Sequence, residues 1–167
     1  MKKTMNFRTA FIAPFCAAGL ALSLAACGGS EAPVEEAAEQ AGVPGMSVDN
    51  ARLVLPPVAG NPAAIYFDVA YEGDRGLAIR KASVEGAESA MLHNYTEWEG
   101  KMQMMEALDI VVKKGDKIAF EPGGQHVMAF GLPEDLAVGS SVEVTLTVSG
   151  GATQTFSAEV RAAGEER

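Results

Sequence analysis

The chain has 167 residues, with 22 acidic against 13 basic side chains and a formal net charge of −9. So acidic a surface repels phosphate backbones and anionic headgroups, which argues against nucleic acid or an anionic lipid surface as the main partner. Of its two cysteines, Cys16 falls inside an apolar leader, so the mature chain keeps only Cys27 and forms no internal disulfide. Stability must then come from an apolar core, and a chain of this length is long enough to build one domain.

Residues 1–26 place Lys2, Lys3 and Arg8 ahead of an apolar run ending at Leu24, the layout of a secretory signal. The run contains Pro14 and Gly19 and is shorter than the roughly 20 apolar residues of a membrane-spanning helix. It closes on Leu24-Ala25-Ala26-Cys27-Gly28, which resembles the lipobox of bacterial lipoproteins. That resemblance implies cleavage before Cys27, lipidation of its thiol and residence at the periplasmic side of the cell envelope. Gly28 in place of aspartate resembles the pattern that sorts lipoproteins to the outer membrane. Residues 27–45 are small, acidic and poor in large apolar side chains, and read as a flexible tether.

The domain expected over 46–167 has a different texture, with short apolar runs separated by Gly/Pro turns. Strands are expected near 48–55, 63–71, 77–84, 90–95, 101–106, 117–120, 126–130, 141–149 and 153–161. Val142-Glu143-Val144-Thr145-Leu146-Thr147-Val148 alternates with the period of a strand buried on one face. Many short strands with no convincing amphipathic helix indicate an all-β sandwich or barrel.

The chemistry gathers in one window. The two histidines are His93 and His126, and every methionine after the leader except Met46 lies with them between Met91 and Met128. Imidazole nitrogen and thioether sulfur are donors that suit a soft ion such as Cu(I). On a strand, His126 and Met128 share a face, as do Met102 and Met104, while Met105 opposes that pair. Met46, Met91 and Met105 read as packing residues, because methionine commonly fills gaps in cores. Trp98 either packs on the sandwich or shields a bound cation with its ring.

His93, ten residues, Met104, twenty-one residues and then His126-Val127-Met128 resemble the copper motif of the PCuAC-type periplasmic copper chaperones. The flank Pro122-Gly123-Gly124-Gln125-His126-Val127-Met128 resembles that family's Pro-Gly-Gly-x-His-x-Met segment. The resemblance implies a cupredoxin-like Greek-key fold and a Cu(I) site made by His93, Met104, His126 and Met128, with Met102 a spare ligand or a packing neighbour. It implies delivery to a copper-accepting protein, in particular the CuA centre of cytochrome oxidase or its assembly factor. Asn94 and Tyr95 stand where the family often carries Glu and Met, and the tail lacks a His/Met-rich extension.

Other classes fit less well. Blue-copper electron transfer needs a cysteine thiolate, which the mature domain does not offer. There is no nucleophile–His–acid pattern, phosphate loop or His-Glu-x-x-His motif, so the chain does not read as an enzyme. Copper sequestration through the same site and a metal-free binding module with a Met-rich surface stand as rival readings.

Overall fold

The computed structural model describes residues 42–165, all within one compact unit of the chain. The expected leader, the expected lipidation site Cys27 and most of the expected tether lie outside them. Ten strands form in chain order: β1 Met46–Val54, β2 Ala63–Tyr71, β3 Leu77–Val84, β4 Ser89–Trp98 and β5 Lys101–Glu106. They are followed by β6 Ile110–Val112, β7 Asp116–Phe120, β8 His126–Phe130, β9 Ser141–Val148 and β10 Thr153–Arg161.

Five of the nine expected strands have the bounds anticipated, and the others differ by one to three residues at an end. The strand not anticipated is β6. Its three residues are too short to display an alternation, and it exists because Leu77, Ala78 and Ile79 of β3 offer it a pairing edge.

The strands follow one hydrogen-bonded path, β5-β4-β8-β2-β1-β10-β9-β3-β6, with β7 joined to β2 beside β8. First and last strands run parallel, Arg52 opposite Glu159 and Val54 opposite Arg161, while the neighbours of each are antiparallel. β3 also lies against β4 and β8, so the path folds back on itself and encloses a core.

Alternation decides what enters that core. Ala63, Ile65, Phe67, Val69 and Tyr71 of β2 point in, as do Val142, Val144, Leu146 and Val148 of β9. Phe67 stacks on Phe120 with ring centroids 4.1 Å apart and tilts against Phe156 at 5.0 Å. The packed domain begins before Met46. Val43, in the stretch read as tether, is buried, and its amide donates to Gln154 Oε1 at 2.9 Å.

Candidate metal centre

Core packing fixes which side chains face outward on β4 and β8. Leu92, Val127 and Ala129 are buried on the inner face. The period of two then turns Met91, His93 and Tyr95 outward on β4, and His126 and Met128 outward on β8. The antiparallel register sets His93 directly opposite His126 and Met91 directly opposite Met128. On the other flank of β4, β5 sets Met104 opposite Tyr95, Met102 opposite Glu97 and Glu106 opposite His93. Two imidazoles and four thioethers thus share one outer face across three adjacent strands.

His126 is the centre of this face. Although it points away from the core, it is only 5% exposed. Its ring centroid lies 5.8 Å from that of His93, 5.6 Å from Tyr95 and 6.3 Å from Tyr66. Arg52 stands over the ring of Tyr66, 5.3 Å from its centroid, and so completes the wall on the β1 side.

The turn before β8 fixes the protonation of this ring. Gly123 takes φ +81°, a left-handed conformation that glycine adopts without a Cβ clash. The turn closes through the Gly124 amide on the Glu121 carbonyl at 3.0 Å. The Gly124 carbonyl then lies 3.0 Å from His126 Nδ1 and can only accept, so Nδ1 carries the proton. The lone pair of the neutral ring is left on Nε2, which faces the sulfur of Met104 at 3.2 Å.

Burial pushes the His126 pKa below its ordinary value, the Gly124 carbonyl partly offsets this, and the charge of His93 lowers it further. The ring is therefore neutral, and two lone-pair donors confront each other with no hydrogen between them. His93 is held in the same way, its Nδ1 donating to the Met91 carbonyl at 3.4 Å and leaving its Nε2 available. With zinc–nitrogen and zinc–thiolate bonds of about 2.0 and 2.3 Å as a guide, donors 3.2 Å apart are close enough for one ion to bridge.

The imidazoles and thioethers on this face are soft, neutral donors, and Glu106 is the carboxylate beside them. Among the described residues no three His, Cys, Asp or Glu side chains converge as a hard-metal cluster. Met102 shares the face of Met104 but stands one row further from the imidazoles, near the hairpin tip and largely exposed. Trp98 falls on the opposite face of the β4–β5 hairpin and is 62% exposed, so it does not lie over His93 or Met104.

Sequence reasoning did not find the two tyrosines beside His126. Met91, expected to pack in the core, is 41% exposed and stands across from Met128. No local signal marked Tyr66, which reaches His126 from a strand sixty positions away in sequence.

A family model described as "Putative lipoprotein LpqE-like" matches residues 46–160. A relative, "Putative lipoprotein Lxx21020" from Leifsonia xyli subsp. xyli, is 30% identical over 99 residues, 59% of this chain and 60% of its own. The chain thus spans about 60% of the length of that relative. Among solved structures, CuI-DR1885 from Deinococcus radiodurans is 27% identical with a TM-score of 0.56, over 80% of this chain and 89% of that one. The apo PCuAC domain from PmoF1 is 24% identical with a TM-score of 0.60, over 71% of this chain and 94% of its own. The copper-bound PCuAC domain from PmoF2 is 20% identical with a TM-score of 0.58, over 71% and 93%. The two PmoF domains show the fold alone. The resemblance to PCuAC domains is met, and the fold is the cupredoxin-like one it implied.

Proposed function

The chain belongs to the LpqE-like lipoprotein family, and on that premise we propose that it binds Cu(I) outside the cytoplasm through His93, Met104, His126 and Met128 and passes it to a copper-accepting protein. The observation that carries this reading is the pair of His126 Nε2 and Met104 Sδ, 3.2 Å apart, with the Gly124 carbonyl drawing the ring proton to Nδ1 and so setting two acceptors in confrontation. A shared soft cation relieves that confrontation, and His93 supplies a second imidazole from directly across the strand pair. The solution structure of CuI-DR1885, 27% identical, supports the choice of metal.

A site of imidazoles and thioethers is neutral, so a bound Cu(I) keeps its positive charge. Thioethers hold such an ion less tightly than thiolates do. An acceptor's thiolates or imidazoles can displace them one at a time, each metal–sulfur bond breaking as another metal–ligand bond forms, with the oxidation state unchanged. Delivery to the CuA centre of cytochrome oxidase fits that chemistry. Lipidation of Cys27, after removal of residues 1–26, would hold the domain at the envelope membrane on a tether, and Gly28 favours the outer membrane.

The test is an anaerobic Cu(I) competition titration of the purified protein against its His93→Ala/His126→Ala variant. The expected result is one tight equivalent in the parent and none in the variant. Equal binding by the two, or no tight binding by either, rejects the site. Sequestration through the same residues is distinguished in a deletion strain. Loss of oxidase assembly at low copper supports delivery, and sensitivity at high copper supports sequestration.

A further inference from the structure

We propose that Met91 is a third thioether ligand of this centre, which the His93, Met104, His126 and Met128 motif does not include; the inference rests on the Cu(I) reading above. Same-face positions along β4, β5 and β8 form rows about 6.6 Å apart, two residues of strand. One row holds His93 and His126, with Glu106 beside them. The next row toward the hairpin holds Tyr95 and Met104, and the row on the other side holds Met91 and Met128. Met91 and Met128 are therefore equally distant from the imidazoles. If the side chain of Met128 can reach an ion at His93 and His126, so can that of Met91, on the same row and of the same length.

Three further features agree. Met91 is 41% exposed, so its thioether is not committed to the core, where Leu92 beside it is buried. Its carbonyl lies 3.4 Å from His93 Nδ1, which orients that imidazole toward the same face. On the far flank of Met128 the partner is Ala64, whose methyl group leaves Met128 free to lean toward Met91.

A third thioether changes the handover. When an acceptor ligand displaces Met104 from the exposed hairpin, Met91 and Met128 with the imidazoles still hold the ion. The ion then leaves by stepwise exchange rather than as a free aquo species.

The test uses the purified protein with its methionine methyl groups labelled with carbon-13, each resonance assigned by its Met→Leu variant. One equivalent of Cu(I) is added anaerobically. The Met91, Met104 and Met128 methyls are expected to shift together, while Met105, on the opposite face, and Met46, in the core, stay in place. Met91→Leu, a volume-conserving change, is expected to lower Cu(I) affinity about tenfold, the low end of the cost of losing a supporting group at a metal site. Met105→Leu is expected to leave the affinity unchanged. Shifts of Met104 and Met128 without Met91, or an unchanged affinity in Met91→Leu, overturn the proposal and leave the motif site standing. Shifts of none of these methyls overturn the site itself and this inference with it.

Discussion

His126 combines two features that normally conflict, a ring nitrogen with its lone pair available and a ring sealed from water. Tyr66, Tyr95 and His93 do the sealing, and the Gly124 carbonyl selects which nitrogen stays open. The cost appears as pH sensitivity. Burial lowers the folded-state pKa of His126 beneath the ordinary 6.5 of an unfolded chain. Above 6.5 the ring is neutral in both states and its packing contributes fully to stability. As pH falls through that value the unfolded chain takes up the proton first, so stability falls until the folded pKa is passed. Urea midpoints of the apo protein at roughly pH 7.5 and roughly pH 5 should therefore differ more for the parent than for His126→Gln. An equal drop in the two proteins would remove His126 as the source. Its pairing with Met128 was legible because Val127 between them is apolar and had to point inward. Its aromatic cover was not, since Tyr66 and Tyr95 arrive through strand register, which no local pattern encodes.

At the scale of the element, the β4–β5 hairpin stands apart from the rest of the sheet. Every residue of β5 is exposed, and the strand is an outer one that pairs with β4 alone. Its turn is Glu99-Gly100, both with positive φ (51° and 73°), the two-residue type that matches strand twist. A β-branched residue at Gly100 must enter the left-handed region at a cost of about 1–2 kcal/mol. Because β5 contributes nothing to the core, the cost should fall on the hairpin and not on the whole fold. Gly100→Val is expected to speed amide exchange across 98–106 and weaken Cu(I) binding through Met104, while the urea midpoint of the core hardly moves. Unchanged exchange in the hairpin, or undiminished Cu(I) affinity, would contradict this. The hairpin's existence was readable from Glu99-Gly100 between two strand-like runs. The extension of β4 through Thr96, Glu97 and Trp98 was not, because those residues have strand partners but no core to face.

At the scale of the molecule, β2 is the spine that joins the core, the His–Met face and the end where the chain enters the domain. Phe67 anchors it inward between Phe120 and Phe156, while Tyr66 beside it covers His126 on the outer face. The β2 end at Ala63, Ala64 and Ile65 pairs with the strand that carries His126 and Met128. The other end, at Tyr71, pairs with Met46, where the chain enters the domain. Five residues of strand separate Tyr66 from Tyr71, about 17 Å, so the entry point lies well away from the metal face. On the proposed reading, entry at that end leaves the methionine face open to an acceptor. The entry is itself packed: Val43 is buried and bonded to Gln154, the Met46 amide donates to the Val43 carbonyl at 2.9 Å, and the Glu72 amide donates to Gly45 at 2.7 Å. No local pattern marks this, since Val43 sits between Gly42 and Pro44-Gly45, and its partner Gln154 lies near the far end of the chain. Burying one valine contributes about 1.5–3 kcal/mol and each hydrogen bond about 1 kcal/mol. A domain begun at Met46 should therefore unfold at clearly lower urea than one begun at Gly42, yet bind Cu(I) with the same affinity. Equal stability would mean that the entry segment contributes nothing to the fold. A loss of affinity at equal folding would mean that the two ends of β2 are coupled, and the separation of tether from metal face would have to be abandoned.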